Sequence, residues 1–242
     1  MPVSRDILVG MQSNLQSMLE VETNNAANMT THGFQEDVAV FAEFVGNKDS
    51  LESHSYVTPV GTTFNIAQGA IEKTGNTFHV AIQGAGYYKF QTPEGDRYGR
   101  QGAFLVDVNG QLTDAHGNPV LSADGGTIEI PLEAKKVSIG GDGIISSENG
   151  IIGRLGVFTF ENQNEPRKTK NTFLETTQTG QLNEAARFVQ GSLEQSNVNP
   201  IKNTARLIEI NRQFSMNQKQ IEADLKREEH QIQTLVKLPP AA

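Results

Sequence analysis

Asn199-Pro-Ile-Lys-Asn-Thr-Ala-Arg-Leu-Ile-Glu-Ile-Asn-Arg-Gln-Phe214 opens a stretch that runs to Val236 without a glycine or a second proline. Asn199 suits an N-cap, because its side-chain oxygen accepts one of the amide protons left over at a helix start. Pro200 suits the first helical position, where a missing N–H costs nothing. Apolar residues follow at Ile210, Phe214, Ile221, Leu225, Ile232 and Val236, spaced 4, 7, 4, 7 and 4 apart. That is an 11-residue repeat, which keeps a stripe on one side of a nearly straight, slightly right-handed helix. At 1.5 Å per residue the helix is about 55 Å long. The rest of its surface is Gln, Lys, Glu, Arg and Asn, so the stripe needs other helices to cover it.

The other end of the chain is also helical in pattern. Ser4 is placed to cap a helix carrying Ile7, Leu8, Met11, Leu15 and Met18 at three- and four-residue spacing. Asn24, Asn25 and Asn28 weaken the pattern near its end, and Gly33 reads as a left-handed residue closing it. Residues 34 to 73 carry apolar positions with no sustained period and read as strand and loop. From Thr74 to Thr177 the chain is β. Phe78, Val80 and Ile82 alternate with polar or small residues, and turn signals recur at Thr92-Pro-Glu-Gly, Asn109-Gly110, Gly140-Gly-Asp-Gly and Glu148-Asn-Gly. Asn109-Gly110 is the strongest short hairpin signal. No internal repeat is visible. The expected fold is α+β: a discontinuous helical unit from residues 1–33 and 199–242, connections at 34–73 and 178–198, and a central antiparallel all-β domain at 74–177. A short Pro239-Pro240 tail ends the chain.

Composition narrows the function. The 242 residues carry a net charge of −8 without a basic block, which argues against nucleic acid. There is no cysteine, hence no disulfide, thiolate nucleophile or cysteine-based zinc site. No apolar run approaches the ~20 residues that span a bilayer, so no direct membrane insertion is expected. The N-terminus lacks the basic start, apolar core and cleavage site of a secretory signal; any export uses another route. Gly84-Ala-Gly86 and Gly140-Gly-Asp-Gly143 are better read as tight turns than as phosphate loops, since neither opens a helix. The five histidines form no His-x-x-x-His pair. No nucleophile elbow occurs. The expectation is no enzyme, no cofactor and no metal.

Asn24-Asn-Ala-Ala-Asn-Met-Thr-Thr-His-Gly-Phe-Gln35 resembles the signature that ends the first helix of the flagellar rod and hook proteins, and further blocks follow in order along the chain. Ala81-Ile-Gln-Gly-Ala-Gly-Tyr-Tyr-Lys-Phe-Gln-Thr-Pro-Glu-Gly95, Tyr98-Gly-Arg-Gln-Gly-Ala-Phe104 and Gly117-Asn-Pro-Val-Leu121 resemble their central block. Ile152-Gly-Arg-Leu-Gly-Val-Phe158 is similar to a late strand, and Val189-Gln-Gly-Ser-Leu-Glu-Gln-Ser-Asn-Val-Asn-Pro200 to the lead into their last helix. Asn25, His32, Gln35 and Ala85 depart from the usual Leu, Pro, Lys and Asp. Length and the Ile152 block look most like the proximal-rod subtype. The resemblance implies a self-assembling structural subunit of the basal-body rod that transmits torque. Its terminal helices would form the inner layer of a tube and its β-domain the outer one. It also implies export through the flagellar export apparatus without a cleaved signal, a place in the periplasmic rod, and partners that are other rod proteins and copies of itself. Ile210, Phe214, Ile221, Leu225, Ile232 and Val236 are the expected subunit contacts, with Ile7, Leu8, Met11, Leu15 and Met18 as their partners. Since isolated helices are marginal in water, both ends are expected to order only on assembly. The alternatives are a distal-rod or hook subunit, or a soluble β-domain binding module with a dimeric coiled coil.

Overall fold

A computed structural model describes residues 2–45, 55–134, 136–162, 165–169 and 172–236. The side chain of Val236 and the Pro239-Pro240 tail lie outside the described residues. Helices stand at both ends of the chain and strands between them, an α+β arrangement. The chain divides into two compact units: Met1–Ala27, Asp37–Thr63 and Asn199–Ala242 form one, Asn28–Glu36 and Phe64–Val198 the other.

The first unit holds α1 (Pro2–Ala27), α2 (Pro200–Val236), β1 (Asp37–Val45) and most of β2 (Ser55–Phe64). α2 begins as its sequence requires: Asn199 Oδ1 accepts from the amides of Ile201 and Lys202, both at 3.1 Å. α1 differs from expectation at both ends. It starts at Pro2, so Ser4 lies inside the first turn and not at the cap. It stops at Ala27, where Asn28 turns the chain by accepting the Thr31 amide at 3.1 Å. Residues 37–45 and 55–64, which lack a readable period, form two long strands that pair with each other. Asn25 fixes the start of β1 by holding both the N–H and the C=O of Asp37, at 2.7 and 2.9 Å.

The second unit contains β3 (Ile71–Lys73), β4 (Val80–Gln83), β5 (Tyr88–Thr92), β6 (Gly95–Gly99), β7 (Leu105–Val106), β8 (Leu112–Thr113), β9 (Val137–Ile139), β10 (Ile144–Ser147), β11 (Gly150–Arg154), β12 (Phe158–Thr159), β13 (Arg167–Lys168), β14 (Leu174–Glu175), β15 (Gln181–Leu182), β16 (Arg187–Gln190) and β17 (Ser192–Glu194). The pairs in this unit are antiparallel. β5–β6 closes at Thr92↔Gly95, β9–β10–β11 form a three-stranded sheet, β16 returns to β4, and β17 returns to β3. Val80 and Ile82 enter the core as their alternation predicts. Ala81 between them is buried too, so β4 is covered on both faces. Tyr88 and Phe104 meet edge to face at 5.0 Å, and Tyr88 Oη donates to the Val80 carbonyl at 2.8 Å. The buried phenol is thereby satisfied.

A turn of one design recurs at Asp107–Gln111, Asp114–Asn118 and Ser122–Gly126. In each, the first residue's C=O accepts the amide of a glycine three residues on, at 3.0–3.1 Å. Its side-chain oxygen accepts the amide four residues on, at 2.7, 2.8 and 3.1 Å. The glycines, Gly110, Gly117 and Gly125, have φ of 85°, 83° and 86°. Asn109-Gly110 lies in a hairpin between β7 and β8, as its sequence signals; Asp107 makes its connection a five-residue loop with glycine in the left-handed place. Gly140–Gly143 has the same backbone, with Gly143 at φ 83° and the Phe188 ring 2.5 Å from where a Cβ would stand.

Candidate functional site

Two sites stand out, one in each unit. The first is the seam between α1 and α2, which run antiparallel. Asn203 Nδ2 donates to Glu22 Oε2 at 2.6 Å and to the Glu22 carbonyl at 3.0 Å. Asn217 Nδ2 donates to the Leu8 carbonyl at 2.9 Å. Both contacts obey one register, in which facing positions add to 225. Arg206 reinforces it with an ion pair to Glu22 at 3.2 Å.

On α2 the buried and half-buried positions are Asn203, Leu207, Ile210, Phe214, Gln213, Asn217, Ile221 and Asp224. Gln213 aside, they advance by 4 and 3 residues in alternation, and the matching line on α1 is Leu8, Met11, Leu15, Met18, Glu22 and Asn25. This is a seven-residue seam. It agrees with the 11-residue repeat of the apolar residues from Ile210 to Ile221 and parts from it beyond, where Asp224 and not Leu225 is half-buried. The register sets Leu15 opposite Ile210, each 4% exposed, and Met11 opposite Phe214. Burying a side chain of this size contributes about 1.5–3 kcal/mol.

The remaining sequence-derived contact residues divide. Leu8, Met18, Phe214 and Ile221 are half-buried. Ile7 and Met11 are exposed at 49% and 45%, as are Leu225 and Ile232 at 37% and 61%. The reason for the last two is length. In the 225 register Pro2, the first residue of α1, falls opposite position 223. α2 continues to Val236, so its last dozen residues overhang by about 18 Å at 1.5 Å each. Over 203–224 the helices find a partner within the chain, which differs from the expectation that both ends wait for neighbours.

The second site is a buried junction. Arg100 Nε meets Glu194 Oε2 at 2.8 Å, with the two side chains 3% and 2% exposed. Arg100 Nη1 and Nη2 donate to the Gly86 and Gly84 carbonyls at 2.7 and 3.0 Å. Gly84-Ala-Gly86 thus turns its carbonyls onto a cation, the opposite of a phosphate loop. Glu194 Oε1 accepts the Gly69 amide at 3.0 Å, and the Glu194 carbonyl accepts the Gly33 amide at 2.8 Å. Gly33 has φ 70°, and a Cβ there would stand 2.6 Å from the Arg100 backbone. It serves close approach and not helix closure. The junction therefore gathers the segment that follows α1, the end of β17 that precedes α2, and the turns around β4.

Nearby groups are tuned by the same burial. It pushes the Tyr87 and Tyr88 phenols above their ordinary range. Tyr87 Oη donates to Gln35 Oε1 at 3.2 Å, and the Gln35 carbonyl takes Lys168 Nζ. His79 is held below its ordinary value, first by burial and then by His32; its Nδ1 lies 2.9 Å from Thr74 Oγ1. Asn203, Asn217, Glu22, Arg100 and Glu194 escaped sequence reasoning. Admitting asparagine to the apolar stripe would have found the first two; nothing in the pattern marks Arg100 or Glu194.

What the described residues bring together is structural: a helix seam with an overhang, and an ion pair locking a β-unit. Among the described residues no three metal-ligating side chains cluster, and no helix is long and apolar enough to cross a membrane. Residues 81–147 match the flagellar hook protein FlgE/F/G D1 domain, and residues 189–224 match the flagellar basal body rod FlgEFG protein C-terminal region. The flagellar basal-body rod protein FlgF of Caulobacter vibrioides is 35% identical over 215 residues, covering 84% of this chain and 85% of that protein. FlgG of Bacillus subtilis is 31% identical over 236 residues, covering 85% and 89%. FlgF of Salmonella typhimurium is 29% identical over 230 residues, covering 88% and 90%. The chain belongs to the flagellar basal-body rod protein family.

Proposed function

We propose that this protein is a structural subunit of the proximal rod, of the FlgF type, which assembles into a helical tube and transmits torque from motor to hook and filament. The observation that carries the assembly role is the overhang of α2: Leu225 and Ile232 extend an apolar line beyond the reach of the chain's own α1. In this reading residues 1–33 and 199–242 are the polymerisation domain and 74–177 the β-domain, with 34–73 and 178–198 connecting them. Ile7, Met11, Leu225, Ile232 and Val236 are its contacts with neighbouring subunits, while Leu8, Leu15, Met18, Ile210, Phe214 and Ile221 line the seam between its own helices. Its partners are copies of itself and other rod proteins, reached through the export apparatus without a cleaved signal, in the periplasmic basal body. It uses no cofactor and catalyses nothing.

A distal-rod role is the second reading, favoured by the 31% identity to FlgG of Bacillus subtilis. A dimeric binding module is the competitor from another class. Sedimentation velocity of the full chain over a wide concentration range, alone and seeded with isolated rod fragments, separates them. Open-ended growth from the seeds is expected; a dimer of fixed stoichiometry in both conditions refutes the proposal.

A further inference from the structure

We propose that Asn203 and Asn217 are the register keys of the α1–α2 seam: they widen the preference for one stagger of the two helices over slips that still set apolar residues against each other. This rests on the rod reading only for the use made of the overhang.

A seven-residue seam is able to slide by seven residues, about 10.5 Å, and still set apolar against apolar. With facing positions adding to 218, Leu207 meets Met11 and Ile210 meets Leu8. At 232, Phe214 meets Met18 and Ile221 meets Met11. Each slip keeps two apolar layers against the native three, Leu207–Met18, Ile210–Leu15 and Phe214–Met11, so apolar packing favours the native stagger by one layer and the polar positions supply the rest of the choice.

The asparagines supply that remainder. In the first slip Asn203, 3% exposed in the structure, faces Leu15, and Glu22, 8% exposed, loses its donor. In the second slip Asn217 faces Leu15 and Glu22 faces Ile210. Each arrangement buries a polar or charged group without a partner. The native stagger instead gives Asn203 two acceptors on Glu22 and gives Asn217 the Leu8 carbonyl. It does so at a cost in stability: Oδ1 of both asparagines is buried without a hydrogen-bond partner among the described residues. A polar residue in such a seam characteristically trades stability for register. What the register fixes here is the length of the overhang, since one slip would lengthen or shorten it by seven residues.

The natural chain has no cysteine, so cysteine pairs report the stagger directly. In the full chain, Met11→Cys with Phe214→Cys reads the native register, and Met18→Cys with Phe214→Cys reads the slip to 232. A disulfide needs Cα atoms within about 7 Å. Under mild oxidation the native pair is expected to form at least about tenfold more disulfide than the slipped pair. Adding Asn203→Leu and Asn217→Leu is expected to raise the slipped pair's yield several-fold, with the melting temperature held or raised. The milder Asn217→Ala is expected to raise the slipped yield several-fold. A slipped yield that stays at its original level in both backgrounds, with helicity intact, overturns the proposal. Loss of helicity in both also overturns it, because the asparagines would then hold the helices together and not choose their stagger. Because this is read on the isolated chain, its failure leaves the rod assignment standing, and a fixed dimer in sedimentation leaves the register result unaffected.

Discussion

Replacing Arg100 with methionine tests the junction quantitatively. The substitution keeps much of the side chain's bulk and removes the guanidinium. Glu194 then remains 2% exposed with its cation gone, and the Gly84 and Gly86 carbonyls lose their donors. Breaking a buried ion pair from one side costs about 3–5 kcal/mol. For a protein of this size each kcal/mol lowers the melting temperature by about 2–4 °C, so Arg100→Met is expected to melt about 6–20 °C lower. Near-ultraviolet circular dichroism is the suitable probe, because Tyr87, Tyr88 and Tyr98 are buried in the β-unit. The double variant Arg100→Met/Glu194→Leu removes both charges and is expected to recover a large part of the loss. A single variant that melts within about 2 °C of the parent would refute the reasoning. So would a double variant less stable than either single one.

Three further outcomes are expected. Gly143→Ala combines a left-handed φ with a Cβ 2.5 Å from the Phe188 ring, so it should lower the β-unit melting temperature clearly, whereas Gly117→Ala, with open space around it, should lower it less. His79 is held below its unfolded pKa of about 6.5 by burial and by His32; its proton is therefore bound more tightly in the unfolded chain. Stability from this source is present above pH 6.5 and is lost as pH falls through that value and the folded pKa below it; His79→Gln should flatten that part of a melting-temperature profile between pH 7.5 and 5. Hydrogen exchange on the isolated chain should show protection over residues 203–224, where α1 covers α2, and rapid exchange over 225–233; uniform protection along the whole helix would contradict the 225 register.

The sequence made the elements more legible than their partners. Asn199 and Pro200 announced the start of α2, and the Phe78–Ile82 alternation announced β4, because capping and periodicity act within a few residues. The hairpin at Asn109-Gly110 was legible in the dipeptide; its five-residue loop was not, because the deciding group, the Asp107 carboxylate, stands outside it. The strands at 37–45 and 55–64 were illegible because β1 and β2 expose Val38, Val40, Val57 and Val60, so no hydrophobic face repeats cleanly. Within the seam, Leu15 and Ile210 were readable as apolar. Asn203 and Asn217 were not, since their burial depends on hydrogen bonds to residues far away in sequence. The Arg100–Glu194 pair joins positions 94 residues apart, and no local pattern encodes such a meeting.

Electron microscopy of basal bodies isolated from the parent bacterium with this gene deleted, and again with it restored, bears most directly on the central claim. The account predicts rods that stop short and carry no hook in the deletion, and complete rods on restoration. Full-length rods bearing hooks in the deletion strain would contradict it.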